Sequence, residues 1–430
     1  MGDLLTDGYE VFRVPEVPKP PYLSPVEDPT FHTDVTRVVG DSGTGFAFED
    51  GTTGTWGEDA RHHYSDDQPW NANSSLIIVQ NAGSPGYVVL DGDTYRPKYP
   101  ACENYPLYDD RWHPVLPQVR INVSQAELMW FDVVECRMLR HWDLPFPAQG
   151  DLAMGPTSDG RYIALSDDRR VFVVDMDPKP SQAPYPVARI GPARDVLADC
   201  GFSCTLGFAA LSPSGRYLIV HYQGDRNRVF DVDPETLALT PRRLPVDAPR
   251  CIGRARDGFI YDLGHLDMTA NPFDSGEDVI IGQEQCGRVG SRLDGDLIGG
   301  VVMVRLRDGA VSSLTDPRNE AHPYHISATN MDRPGWVYIT YWPGQGERFN
   351  DEIVAVKLDD SGTVQRFGHT HTDTADCYRC EAHAVPSPNG RRIMFASAWN
   401  ANCADRCGSA SNPQAYVIDA RARPGPWPSS

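Results

Sequence analysis

The chain has 430 residues, 40% of them hydrophobic and 23% charged, with 38 Gly and 37 Pro; that is a globular composition dense in turn formers, suited to many short strands and not to long helices. A net charge of −20 excludes nucleic acid as the main partner, because phosphate binding needs clustered Lys and Arg. No run approaches the ~18 apolar residues of a membrane span, so no membrane partner is expected.

Residues 1–32 are Pro-rich (Val14-Pro15-Glu16-Val17-Pro18-Lys19-Pro20-Pro21) and predict an extended arm. Residues 33–430 repeat one phrase: a turn, an apolar β-branched strand, a polar gap and a second strand, often ending in Asp. In chain order, Leu76-Ile77-Ile78-Val79 leads to Tyr87-Val88-Val89-Leu90-Asp91. Arg111-Trp112-His113-Pro114 leads, through a degenerate strand, to Leu128-Met129-Trp130-Phe131-Asp132. Ser158-Asp159-Gly160-Arg161 opens a unit ending at Val174-Asp175, and Ser212-Pro213-Ser214-Gly215-Arg216 opens one ending at Phe230-Asp231. Asp278-Val279-Ile280-Ile281 leads to Val301-Val302-Met303-Val304, and Trp336-Val337-Tyr338-Ile339 to Ile353-Val354-Ala355-Val356. Ser387-Pro388-Asn389-Gly390-Arg391 opens the last, which ends at Ile418-Asp419.

Seven such units, spaced by roughly 40–60 residues, predict an all-β, seven-bladed β-propeller behind the N-terminal arm. One small twisted sheet cannot bury both faces alone, whereas radially packed neighbours bury one another. Two β-sandwich domains are the competing architecture. The longer gaps, 283–300, 343–350 and 401–413, read as insertions that shape one face.

Ten Cys, several closely spaced (Cys200/Cys204, Cys377/Cys380, Cys403/Cys407), and two Asn-x-Ser sequons at Asn73 and Asn122 predict a mature secreted protein. Met1-Gly2-Asp3 opens into polar sequence, so a leader would have been removed. Cys377, Cys380, Cys403 and Cys407 have a spacing that suits zinc, but disulfides are the favoured reading. Cys200 and Cys204 pair with each other, or with Cys251 or Cys286.

Histidines lie just before or at the start of strands in five units: His62/His63, His113, His265, His325 and His383. Equivalent blade positions face one central region, so the set points to a site, although any one of these residues taken alone reads more readily as a tether between blades. Arg61, Arg288, Arg292 and Arg333 lie near the same loops and are candidate carboxylate clamps. Trp70, Trp336, Trp342 and Trp399 are core residues or sugar-stacking faces.

The order Val35-Thr36-Arg37, His62-His63-Tyr64, Gly264-His265, Tyr324-His325 and Glu381-Ala382-His383 resembles the oligogalacturonate lyases and related propeller lyases, over residues 33–420. The Ser-Pro-Asx-Gly-Arg turns resemble the repeats of TolB-like propellers. The resemblance implies a divalent metal, manganese or calcium, on His325 and His383, and His265 as base. In the family's last-blade motif two His stand one residue apart; here Glu381 replaces the first, so a carboxylate becomes the third ligand or Arg takes over the cation's role. No organic cofactor is expected, since no Rossmann or P-loop signature is present.

The activity so implied is β-elimination on a uronic-acid glycan, with an anionic plant or algal polysaccharide as partner and a monomer as the working form. Such a lyase needs a cation beside the carboxylate and a His/Tyr pair to move protons. His63, Tyr64, His265 and Tyr324 are therefore the catalytic candidates. Arg61, His113, Arg288, Arg292 and Arg333 are the substrate-binding candidates, and His325, Glu381 and His383 the metal candidates. A non-catalytic glycan- or protein-binding propeller is the alternative. A glycoside hydrolase is disfavoured because the repeated His positions lack a second carboxylate, apart from Glu381 and Asp267.

Overall fold

The computed structural model describes residues 4–105, 109–149, 155–177, 189–200, 204–244, 252, 258–293, 296–344, 346–373, 377–409 and 411–420. They form two compact units: residues 1–101, 299–301 and 313–430, and residues 102–298 and 302–312. Among the described residues helical structure is sparse: Leu197–Cys200 and the single 3₁₀ turns Pro272–Asp274 and Tyr378–Cys380 are its complete elements.

In the first unit Ala60–Arg61, Leu76–Asn81, Tyr87–Asp91 and Pro97–Tyr99 form one antiparallel series. Pro323–Ser327, Trp336–Tyr341, Glu352–Lys357 and Val364–His369 form another. The third combines the two ends of the chain. Val385–Pro386, Arg392–Ser397 and Gln414–Asp419 are completed by Asp34–Arg37, with Val35 opposite Ile418 and Arg37 opposite Tyr416. Pairing of the first long strand with the last turns two chain ends into interior strands and removes an exposed edge.

The second unit has the same grammar. Asp109–Trp112, Val119–Ser124, Glu127–Asp132 and Arg137–Asp143 pair in sequence. So do Tyr162–Ser166 with Arg170–Asp175, and Leu206–Leu211 with Tyr217–Tyr222 and Arg226–Val232. Leu263–Asn271, Glu277–Glu284, Val301–Arg305 and Val311–Ser313 follow in that order.

The strands read as unbroken apolar runs because both faces are covered. Val171, Phe172, Val173 and Val174 are all 0% exposed, so no polar alternate appears. The Gly of each repeated turn is required by its backbone: Gly160, Gly215 and Gly390 have φ of 72°, 73° and 67°. Each donates its N–H to the carbonyl three residues earlier, at 2.7, 2.8 and 2.7 Å. In one unit the turn's Arg also meets the strand-ending Asp, where Arg161 holds Asp175 through two bonds of 2.8 and 2.9 Å.

The arm is pinned along the first unit. Leu5 bridges to Arg366, Val17 to Cys403 and Tyr22 to Arg37. The buried Arg366 guanidinium bonds the Glu352 carboxylate and reaches the carbonyls of Asp7 at 3.2 Å and Glu10 at 2.8 Å. Arg348 donates to Gly8 O at 2.6 Å.

Disulfides join Cys102–Cys136, Cys200–Cys204, Cys377–Cys380 and Cys403–Cys407. The last two consume the sulfurs that a zinc site would need. Cys286 is also disulfide-bonded, and Cys251 lies outside the described residues. Of the sequons, Asn122 is buried within its strand at 0% exposure, whereas Asn73 is exposed.

His113, a candidate substrate contact, is instead a tether in the second unit. Its Nδ1 accepts the N–H groups of Val115 and Leu116, both at 3.1 Å, and its ring packs edge-on to Trp130. Burial, with Arg140 nearby, pushes its pKa down to about 4. The folded value lies below the unfolded one, so the neutral ring stabilises the fold above pH ~6.5 and this contribution is lost as the pH falls. Between pH 7 and 5 the loss is about 2 kcal/mol. The variant His113→Asn, which retains an acceptor, should show a correspondingly shallower fall in denaturation midpoint over that range; parallel curves for variant and wild type would remove His113 from the acid sensitivity.

Candidate functional site

The site is built on a seven-residue stretch of the first unit, Cys377 to His383. Residues Tyr378–Cys380 make a 3₁₀ turn closed by the Cys377–Cys380 disulfide. The turn ends at the buried Glu381, and His383 follows two residues later with φ of +45°. Left-handed backbone at a non-Gly residue costs on the order of 1 kcal/mol, so the surrounding structure must enforce it.

The enforcing group is Arg61. Its side chain is fully buried and its five N–H donors are all directed into this loop and its own strand end. Nε donates to His62 O at 2.8 Å and Nη2 to His63 O at 3.1 Å. Nη1 donates to Arg379 O and, at 3.1 Å, to Glu381 O. The remaining Nη2 hydrogen faces His383 Nδ1 at 2.8 Å. Burial lowers its pKa to about 9, which still leaves the guanidinium charged at neutral pH. The sequence pointed to Arg61 as a carboxylate clamp; with four of its five N–H groups on protein carbonyls, it organises the site.

Three candidate ligands converge here. His325 Nε2 lies 3.0 Å and His383 Nε2 3.5 Å from Glu381 Oε2. One donor atom from each of the three residues lies within 4.8 Å of the other two, and all three residues are buried. Burial, reinforced by the neighbouring Arg61 charge, depresses both histidines well below 6.5, so they are neutral at physiological pH. Two groups stand at hydrogen-bond distance from His383 Nδ1: the Arg61 donor and Glu381 O, the latter at 2.7 Å. A ring nitrogen serves one of them at a time. When Nδ1–H donates to the carbonyl, the Nε2 lone pair faces the cluster, the arrangement a metal-ligating imidazole adopts. His383 Nε2 is buried and has no hydrogen-bond partner.

Aromatic side chains surround the cluster. Strand Pro323–Ser327 has a register shift between Pro323 and His325, so Tyr324 is an extra residue between the Pro323–Tyr341 and His325–Thr340 pairs. Consecutive strand residues normally point to opposite faces; the bulge brings two of them to one carboxylate. Tyr324 OH donates to Glu381 Oε1 at 3.3 Å while His325 reaches Oε2. Tyr64 lies 4.6 Å from the His383 ring and 5.2 Å from His325. Burial raises the Tyr64 pKa strongly, with Tyr378 and Asp66 adding to it, and raises Tyr324 to about 12. Both phenols are therefore protonated donors. His63, half-buried, has Nδ1 3.6 Å from the Asp67 carboxylate.

The structure thus brings together Arg61, His63, Tyr64, Tyr324, His325, Glu381 and His383. Arg333 belongs to the same unit but bonds Tyr338 OH at 2.7 Å and Gln365 Oε1 at 2.6 Å and stacks on Trp336. In the second unit His265 sits on a bulge between Gly264 and Asp267 with φ of +47°. Arg288 and Arg292 are exposed on that unit's 283–300 insertion. Trp70 and Trp399 are core residues, whereas Trp342 is half-buried and edge-on to Tyr324 at 4.5 Å. Tyr378 had no sequence signal beyond its place between two cysteines, yet it stands over His383, with ring centroids 5.6 Å apart.

No family model and no curated protein matches the chain. Among solved structures it is similar to an oligogalacturonate lyase in complex with manganese, with a TM-score of 0.54 at 11% identity, over 95% of this chain and 98% of that one. An oligogalacturonate lyase from Vibrio parahaemolyticus aligns over 92% of this chain and 96% of its own, with a TM-score of 0.49 at 12% identity. The first likeness shows the fold: an all-β propeller of the oligogalacturonate-lyase type.

The organising role of Arg61 is testable by stability. Arg61→Met should lower the unfolding free energy by about 3 kcal/mol, because four carbonyls lose a charged donor inside the fold. Arg61→Lys should recover little of it, since an ammonium cannot span the same carbonyls. Chemical denaturation measures both; a Met variant as stable as the wild type would refute the role.

Proposed function

We propose that the protein is a secreted carbon–oxygen lyase that cleaves a glucuronate- or galacturonate-containing glycan by β-elimination. The observation carrying this reading is the buried His325–Glu381–His383 cluster, ringed by protonated tyrosines. Two imidazole nitrogens and one carboxylate suit manganese or zinc; calcium prefers an all-oxygen shell and fits poorly. The unpartnered His383 Nε2 supports the fit. A divalent cation held there would supply the positive charge that neutralises the uronate carboxylate and acidifies its α-proton.

The chain's own residues account for the proton movements. A histidine removes the C5 proton; the C4–O4 bond breaks, a C4=C5 double bond forms, and the departing O4 takes a proton. Phenols with raised pKa values are poor bases and good proton reservoirs, so Tyr64 and Tyr324 are assigned to the departing oxygen. His265 is the base by the family resemblance, and His63 is the acceptor available within the first unit. Arg288 and Arg292, both exposed, are assigned to carboxylates elsewhere on the glycan. Arg333, held by Tyr338 and Gln365, is given no substrate role.

Seven blades and a separate arm of residues 1–32 are part of the same proposal. Counting the nine-stranded sheet as two, the larger sheets number seven, which supports the blade count. The described disulfides and the exposed Asn73 support secretion, and we take the monomer as the working form. Among the described residues no helix is long and apolar enough to cross a membrane.

Incubation with pectate, gum arabic, ulvan or glucuronan should produce absorbance at about 235 nm, from the double bond left by proton abstraction. A chelator should abolish the signal and Mn²⁺ restore it, and His383→Ala should remove the Mn²⁺ response. His265→Ala should lower kcat by roughly 100-fold or more with an unchanged circular-dichroism spectrum, and His63→Ala by less. Silence on all four polymers would sink the lyase reading, and chelator-insensitive turnover would remove the metal from it.

A further inference from the structure

Among the described aromatic residues at the site, Tyr378 is the most open to solvent. It is 61% exposed, although the residue two positions on, Cys380, is 0% exposed. A single exposed aromatic is ordinary by itself; here its fixed backbone and its neighbours set it apart.

The ring is also held in place. The turn that carries it is closed by the Cys377–Cys380 disulfide. The next residue, Arg379, is bound to Asp59 at 2.6 and 3.0 Å and to Gln80 at 3.0 Å. Its carbonyl is gripped by Arg61. The Tyr378 ring also meets the His383 ring edge-on, with centroids 5.6 Å apart. A rigid, exposed aromatic loses little conformational entropy when a partner covers it.

Tyr324 and Trp342 form a second aromatic element beside the same carboxylate. Their rings meet edge-on at 4.5 Å, and both side chains are half-exposed. Trp342 N donates to His322 O at 2.9 Å, which ties its segment to the strand that carries Tyr324. The cluster therefore has an aromatic face on each of two separate chain segments.

We propose that Tyr378 and Trp342 are stacking platforms for the pyranose rings that flank the residue held at His325–Glu381–His383. One face of a pyranose presents C–H groups and matches the negative face of an aromatic ring. The charged group of the ligand is thus placed at the cluster, and its neighbours are held by their apolar faces. The ligand class is an oligosaccharide longer than one residue, in which sugars next to the uronate are recognised without a charge contact. Naming the central residue a uronate rests on the lyase reading; the stacking itself does not.

The test uses full-length protein with Mn²⁺, as wild type, Tyr378→Ala, Tyr378→Phe and Trp342→Ala. Steady-state turnover is read at about 235 nm, and glycan binding separately, by retardation in gels containing each of the four polymers. Tyr378→Ala and Trp342→Ala should each raise KM roughly tenfold, the size expected of one aromatic contact, with kcat little changed. Mn²⁺ affinity by calorimetry should not move, and Tyr378→Phe should restore KM. If no polymer is turned over but the wild type is retarded and Tyr378→Ala is not, the platform stands and the lyase reading falls. If turnover occurs and both alanine variants keep wild-type KM and retardation, the platform is wrong and the lyase stands. A wild type retarded by none of the polymers would overturn the platform as well.

Discussion

One buried guanidinium holds the candidate site together. Arg61 stands at the end of a short strand near the start of the chain, and Glu381 and His383 lie more than three hundred residues later. Its contacts with Arg379 O, Glu381 O and His383 Nδ1 tie the two segments to one geometry. A cation buried without a carboxylate in its own hydrogen-bond shell is expensive to desolvate. Carbonyl dipoles compensate it here, two from its own strand end and two from the segment that carries Glu381 and His383. The stability of the charge and the shape of the site are thus one interaction: a loop that relaxed would strand the guanidinium.

The same charge sets the protonation states around it. Arg61 disfavours a proton on His325 and on His383, in the direction that burial already pushes both. It leaves neutral imidazoles beside a carboxylate, which makes the three a candidate ligand set. The tyrosines move the other way: burial and the carboxylates hold their protons on. One buried environment therefore yields electron-pair donors at the centre and proton donors at the edge. That division of labour is what an elimination requires, and it follows from burial and one fixed cation, with no unusual residue type.

The repeated turn was the most legible feature of the sequence. Gly160, Gly215 and Gly390 sit where a left-handed residue closes the turn, so the phrase and the backbone coincide. The apolar runs were legible too, because strands covered on both faces lose their polar alternates. The histidine set was legible only in part. His325 and His383 converge on Glu381, but His113, expected at a comparable place beside a strand, does structural work against Trp130 and two loop amides. Nothing in the local sequence separates these cases. What separates them is the partner of the ring nitrogen, which comes from elsewhere in the chain. Arg61 was misread for a related reason. A charged residue beside candidate ligands suggests a ligand clamp, and only the fold reveals that protein carbonyls already occupy four of its five donors. Arg333 was the same kind of error, resolved by Tyr338 and Gln365.

The register shifts explain how an ordinary strand pattern produces such a site. An uninterrupted strand can offer only every second side chain to one face, which is too sparse to place a ligand and a proton donor on one carboxylate. Inserting Tyr324 lets it and His325 share Glu381. The Leu263–Asn271 strand is shifted at the matching point of its own sheet, where His265 takes a left-handed conformation. His383 does so just ahead of strand Val385–Pro386. At His265 and His383 a β-favouring repeat departs from regular geometry at its histidine, at a cost of on the order of 1 kcal/mol for each left-handed residue. Where it does so, neighbouring contacts must hold the histidine's backbone in place, as the Arg61 guanidinium does through Glu381 O and the His383 ring.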